Sequence, residues 1–229
     1  MNKDFSVLHR VVLLTVFEGD DLARLNAILA EAGCEVVVAR ALADLERVEF
    51  DQRTTLLAFG TGVIVPAALL KSMSRPAYNL HAASPAFPGR DPHHFAVYAG
   101  ATRYGATLHV MTASVDAGPI VATELFDVPE AIKPGELLQL ANAAGVRLIG
   151  ANARLICTGQ PMPSLTDVAW GQPKHTRADF LAACRIAADV SEAEFARRFR
   201  AFDGEMYDNL TVEIHGWSFR IDKAKGRNS

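Results

Sequence analysis

Asn79 and His81 stand two residues apart in Tyr78-Asn79-Leu80-His81. An extended strand sends such residues to the same face, so an amide and an imidazole would converge at the strand's carboxyl end. Asp116 lies in Val115-Asp116-Ala117-Gly118-Pro119, a turn sequence that can present a carboxylate from a loop. The three side chains supply a neutral donor, a titratable donor and an anion to keep the imidazole charged. That set suits stabilising an oxyanion during acyl transfer while managing the protons of an amine. A strand-end histidine beside a turn aspartate is more often a packed or capping pair. The residues alone leave both readings open.

Other chemistries find less support. Gly60-Thr61-Gly62 has Val65 where a dinucleotide fingerprint needs a third glycine, and it follows the third expected strand instead of the first. It reads as a tight turn with exposed backbone groups feeding a helix, not as a nicotinamide site. The serine-hydrolase elbow, the phosphate-binding loop and the H-E-x-x-H zinc pattern are absent. His93 and His94 are adjacent, so on a helix they point about 100° apart and do not share an ion easily. A structural or capping role is expected of them, and no metal is expected. Cys34, Cys157 and Cys184 are odd in number and widely spaced. They offer neither metal spacing nor a disulfide framework, and they fit a reducing cytoplasm.

The elements that must carry these residues follow from hydrophobic patterning. Short β-branched runs over 11–17, 35–39 and 54–59 read as buried strands, separated by helical patterns over 20–32, 42–48 and 66–73. Asp20 is expected to cap the first helix, and Gly33 to end it. Residues 78–81 read as a fourth strand, followed by a Pro/Gly/Ser-rich loop over 82–92, a helix over 93–99, strands over 105–111 and 120–128, and a long helix over 134–158. The order argues for an α/β fold around a mainly parallel sheet with crossover helices. Residues 159–175 look like a linker. Beyond it, helices over 178–187 and 191–202 and a hairpin over 210–221 form a small appendage that must dock on the body or on a second subunit.

Composition narrows the classes further. Of 229 residues, 50% are hydrophobic and 21% charged, which excludes a disordered chain. No apolar run approaches the roughly 20 residues of a membrane helix, and the run over 11–17 is too short and wrongly flanked for a signal peptide. The net charge of −3 lacks the basic excess of a general nucleic-acid binder. The expectation is a cytoplasmic protein without membrane or nucleic-acid partners.

Four ordered pieces carry a more specific likeness. Asn79-Leu80-His81, the proline/glycine loop to Gly89, Gly105-Ala106-Thr107-Leu108-His109, and Asp116-Ala117-Gly118-Pro119-Ile120 together resemble the 10-formyltetrahydrofolate-dependent formyltransferase family. That family includes enzymes acting on methionyl-tRNA, amino sugars and glycinamide ribonucleotide. The resemblance implies a Rossmann-like catalytic domain over 1–160 and a small C-terminal subdomain over 174–224. It implies that Asn79, His81 and Asp116 are catalytic. It also implies that Gly60, Thr61, Gly62, Val63 and Ile64, with Ala113, Ser114 and Val115, meet 10-formyltetrahydrofolate as co-substrate. The chain departs from the family's H-P-S-L-L-P pattern: Ala83 occupies the usual serine position unless the shorter loop lets Ser84 substitute.

The resemblance points to formyl transfer onto a small primary amine, a nucleotide-linked amino sugar ahead of methionyl-tRNA or glycinamide ribonucleotide. The competing readings are a 10-formyltetrahydrofolate hydrolase and a non-catalytic folate-binding module. A homodimer is expected, because an appendage carrying Trp217 and Phe219 wants a partner surface.

Overall fold

The computed structural model describes residues 9–204 and 207–222. Residues 1–8, 205, 206, 223 and 224, parts of the two expected units, lie outside the described residues. Nine strands and seven α-helices are described. β1 (His9–Leu14), α1 (Gly19–Glu31), β2 (Cys34–Ala39), α2 (Leu42–Leu45), β3 (Thr54–Phe59), α3 (Ala67–Ser72) and β4 (Tyr78–His81) alternate as expected. They are followed by α4 (Pro92–Ala99), β5 (Arg103–Val110), β6 (Ile120–Asp127) and α5 (Pro134–Thr158).

The six strands form one sheet in the order β2-β1-β3-β4-β5-β6. β1 pairs parallel with β2 and β3, and β3 with β4, whereas β4–β5 and β5–β6 are antiparallel. The fold is α/β with a mixed sheet, parallel over its first four strands. β1 and β3 carry buried apolar runs, over 11–14 and 56–59, because helices cover both of their faces. Val11, Leu13, Leu57 and Phe59 enter the core with α1 and α5, while Val12, Leu14, Leu56 and Ala58 enter a second core with α2 and α3.

Close backbone approach fixes where α5 lies. A Cβ at Gly145 would collide with the Leu80 side chain and the Phe59 ring. The helix therefore rests directly on β3 and β4, pressing Tyr78 and Leu80 into the core and leaving Asn79 and His81 to the opposite face. The chain order reverses between β1 and β3, the switch point at which open α/β sheets bind ligands. There Gly60 turns away from β3 at φ 62°, and a Cβ on it would strike the Phe17 ring.

Several expectations need correction. Asp20 does not cap α1; Glu18 stands at that position without a side-chain cap, and Asp20 lies in the first turn, where its charge meets the helix dipole. Cys34 and Cys157 are disulfide-bonded across 123 residues, with Cα atoms 5.7 Å apart, although the spacing suggested no pairing. The cause is tertiary: α5 runs back across α1, so its last turn reaches the start of β2.

The appendage also differs in detail. α6 (Arg177–Cys184) stops early, and its expected last turn is β7 (Arg185–Ala187). α7 (Glu192–Arg198) runs into a π-helical turn, Phe199–Asp203. β8 (Thr211–Ile214) and β9 (Trp217–Arg220) form the expected hairpin, and β7 joins it in a three-stranded sheet. Phe180, Ile186, Phe202 and Leu210 share a core with Phe95, Tyr104, Leu137 and Ala141, so this region packs on the same chain's α4, α5 and β5. Among the described residues, no helix is long and apolar enough to cross a membrane.

Candidate active site

The antiparallel pairing of β4 and β5 sets Asn79 opposite His109 and His81 opposite Thr107. Residues facing each other across a ladder share a face, so two imidazoles and an amide gather on one side of the sheet. The chain leaving β5 then doubles back. Val110 N–H donates to Pro119 O, and Thr112 Oγ1 donates to Ser114 O. Gly118 is required here, because a Cβ would collide with the Val110 carbonyl oxygen. The turn holds Asp116 at φ 44°, a left-handed conformation that a short polar side chain tolerates.

Asp116 joins the cluster from its far side. Its Oδ2 accepts a hydrogen bond from Gly89 N–H at 2.9 Å and lies 3.5 Å from His81 Nδ1. Its Oδ1 lies 3.4 Å from His109 Nε2. Burial, the largest influence, pushes the Asp116 carboxyl up. The His109 hydrogen bond, the His81 imidazole, the Gly89 N–H and the charge of His109 outweigh it and hold the group below the usual carboxylate value. The carboxylate is ionised in its buried setting because those partners replace the lost water.

Each histidine faces acceptors from both ring nitrogens. His81 Nε2 donates to Phe87 O at 2.9 Å while Nδ1 faces Asp116. His109 Nδ1 donates to Val110 O at 3.0 Å while Nε2 faces both Asp116 and the Asn79 amide, the latter at 3.0 Å. His109 Nε2 can accept from Asn79 Nδ2 or donate to Asp116, but it cannot do both. The orientation of the Asn79 amide and the position of one proton are therefore linked.

This cluster opens on a cleft of about 780 Å3. Gly60, Thr61, Gly62, Val63 and Ile64 line it, as do Ala113, Ser114, Val115, Asn79, His81 and Asp116. The residues that the resemblance assigned to catalysis and to folate binding thus border one space. Ile64 is 68% exposed and Val115 45%, so two large apolar side chains stay open to the cleft instead of entering the core. Ser84 does not stand in for the missing loop serine. It is buried, its Oγ has no partner among the described residues and it does not line the cleft, while Ala83 packs in the core around Tyr104.

Sequence reasoning gave no role at the site to other cleft residues: His109, Arg90, Lys174 and His175, and to His93 only a structural or capping one. His109 carried a signal, since it alternates with Thr107 on one strand, but its meeting with Asn79 depends on β5 running antiparallel. His94 has the expected structural role, donating from Nδ1 to Ala201 O at 2.6 Å among Phe180, Phe202 and Tyr207. His93 borders the cleft with a buried Nδ1 that has no hydrogen-bond partner among the described residues; burial, assisted by His94, lowers its pKa to about 3. Among the described residues, no group of three His, Cys, Asp or Glu side chains could hold a metal ion.

Comparison with known proteins gives the site a context. Residues 46–148 match the family model described as formyl transferase. The methionyl-tRNA formyltransferase of Xanthomonas euvesicatoria is 29% identical over 168 residues, covering 71% of this chain and 52% of that protein. The corresponding protein of Roseobacter denitrificans is 34% identical over 89 residues, 38% of this chain and 29% of its own. The chain spans about half the length of the first of these relatives.

Among solved structures, a 4-N formyltransferase from Francisella tularensis shares the fold with a TM-score of 0.74 at 17% identity, covering 93% of this chain and 96% of that one. HypX from Aquifex aeolicus, solved in complex with tetrahydrofolic acid, gives 0.67 at 17% identity over 93% of this chain and 37% of its own. The matched segment contains β3, β4, β5, β6 and the whole Asn79–His81–His109–Asp116 cluster. In that segment the chain resembles the formyltransferase family, and it shares the fold of the solved formyltransferases.

Proposed function

We propose that this protein transfers a formyl group from 10-formyltetrahydrofolate to the primary amine of a small acceptor, a nucleotide-linked amino sugar. The observation that carries this reading is the buried Asp116 carboxylate between two imidazoles, beside an amide donor, at the end of a cleft large enough for a folate head group. The cleft suits a flat heteroaromatic ring. Residues 60–64 and 113–115 lie outside the sheet ladders and offer backbone groups, and Ile64 and Val115 offer apolar walls.

10-Formyltetrahydrofolate supplies the formyl carbon and leaves as tetrahydrofolate. The second Asn79 amide hydrogen and an N–H of His81 donate to the formyl oxygen as it gains charge. Asp116 pairs with His81 and accepts, through water, the proton released by the attacking amine, and the same water returns a proton to N10 as the bond from N10 to the formyl carbon breaks. The loose 3.5 Å contact between His81 and Asp116 suits that work, since the imidazole is oriented without its N–H being committed to a short hydrogen bond.

The sugar acceptor is favoured over tRNA by fold and charge. The 4-N formyltransferase and a sugar N-formyltransferase from a Shewanella species each share the fold over 93% of this chain, with TM-scores of 0.74 and 0.72. The chain also lacks a basic excess, with 23 basic against 26 acidic residues. A panel of acceptors tests this: nucleotide-linked amino sugars, glycinamide ribonucleotide, methionyl-tRNA, and no amine. Tetrahydrofolate release that depends on the sugar supports the reading. Release without amine makes the protein a hydrolase, and folate binding without release makes it a binding module.

We also propose that two copies associate through the β8–β9 hairpin. Pairing of Val212 with Phe219 and of Ile214 with Trp217 puts four apolar residues on one face, and Trp217 is 74% exposed. Sedimentation of wild type and of Trp217→Ser tests this, with a dimer expected only for wild type.

A further inference from the structure

Residues 159–175 have no helix or strand, and by composition they read as a spacer between two units. Their hydrogen bonds contradict that. Gly171 N–H donates to Pro85 O, His175 N–H to Pro88 O, and Arg90 N–H returns to His175 O at 2.8 Å. Gly89 and His175 form a parallel bridge so close that a Cβ on Gly89 would collide with the His175 carbonyl. The His175 ring stacks on Phe95 with centroids 3.6 Å apart. On the other side, Lys174 Nζ donates to Ser114 Oγ at 3.0 Å and to Val115 O at 2.8 Å. One short stretch thus grips the loop after β4, which presents Phe87 O and Gly89 N to the cluster, and the turn that carries Asp116.

Trp170 opens this strap. Its Nε1–H donates to Gly118 O at 2.8 Å, two residues beyond Asp116. Its ring meets the His109 ring edge to face, with centroids 5.0 Å apart and an interplanar angle of 89°, and lies 5.9 Å from His81 at 67°. A single indole therefore touches both imidazoles and tethers the turn holding the carboxylate between them. Asp116 sits in a left-handed conformation at φ 44°, and the Trp170 bond to Gly118 O braces the turn that holds it there.

We propose that Trp170 is a positioning residue for the His81–Asp116–His109 cluster, and that residues 170–175 act as a strap that aligns its two loops. Trp170 touches no reacting atom; it acts by fixing the distance between carboxylate and imidazoles and by shielding both rings from water. Its kinetic consequence rests on the formyl-transfer reading, while its structural consequence does not.

The test uses the full chain with Trp170→Phe, which keeps an aromatic ring but loses the N–H, and Trp170→Leu, which loses both. Two readouts are taken: steady-state kinetics of tetrahydrofolate release, and carbethoxylation of each histidine by diethyl pyrocarbonate with peptide mass mapping. Trp170→Phe is expected to lower kcat about 10-fold and Trp170→Leu about 100-fold, with KM for the folate within about 2-fold, because sub-ångström misplacement is felt in turnover. His109 and His81 should label about 10-fold faster in Trp170→Leu as their aromatic cover is lost, while the exposed His215 keeps its rate. Wild-type kcat per folded molecule in both variants, or labelling that rises equally at every histidine, overturns the proposal. If wild type shows no turnover, the formyl-transfer reading fails and the labelling pattern alone decides the role of Trp170. If Trp170→Leu does not fold, Trp170→Phe carries both readouts.

Discussion

His93 should make this protein sensitive to acid in a window where its carboxylates are silent. In the folded chain burial lowers the His93 pKa to about 3, with help from His94, against 6.5 for the free side chain. On acidification the unfolded chain therefore takes up this proton first. His93's contribution is fully present above about pH 6.5 and is lost progressively as pH falls toward 3. Worked from those two values, the loss is about 0.2 kcal/mol at pH 7 and about 2 kcal/mol at pH 5. With a urea dependence of about 2–3 kcal/mol per molar, the midpoint should drop by about 0.6–1 M from this residue alone.

His94 and His175 are lowered in the same direction, chiefly by burial, so wild type should lose more than this in total. The variant His93→Phe isolates one contribution, since phenylalanine fills similar space without titrating. Urea unfolding at pH 7 and pH 5 should show wild type losing about 2 kcal/mol more than the variant between the two conditions. Equal losses in the two proteins would refute the reasoning. Activity gives a second view: if acid inactivation of wild type is loss of fold, His93→Phe should stay active further into acid.

Other outcomes follow from individual contacts. Asp116→Asn leaves two imidazoles without their shared anion, so turnover should fall by about 10²–10⁴ while tetrahydrofolate still binds, as calorimetry would show. Because the folded Asp116 value lies below its ordinary 3.8, the carboxylate stays charged above that pH, and any acid limb of activity belonging to it lies below pH 3.8. Gly145→Ala should destabilise by about 1–3 kcal/mol in chemical denaturation, since the new methyl meets Leu80 and Phe59 at the helix–sheet contact.

What the sequence made legible divides along physical lines. The first half of the fold follows from local pattern: β3, β4 and α5 have the expected bounds because their apolar runs and their Pro and Gly boundaries are unambiguous. The same holds for the face shared by Asn79 and His81, which needs only strand parity. What depended on distant parts of the chain was not legible. The antiparallel turn of β5 brings His109 to Asn79, the return of α5 brings Cys157 to Cys34, and the docking of residues 170–175 brings Trp170 to the cluster. The last is the most instructive case. A Pro/Gly-rich composition signals the lack of regular structure, but not whether backbone groups are paired to another loop. Asp116 was legible as a turn residue, yet its balance between burial and two histidines required the three-dimensional arrangement.

The most direct test of the central claim follows the formyl carbon itself. 10-Formyltetrahydrofolate labelled in the formyl group is mixed with a nucleotide-linked amino sugar and with wild type or His81→Ala in a single turnover. The account predicts that wild type moves the label onto the acceptor nitrogen with stoichiometric tetrahydrofolate, and that His81→Ala, though folded and folate-binding, slows the transfer by about 100-fold or more. Label that stays on the folate with wild type, or reaches the acceptor equally fast with His81→Ala, would contradict it.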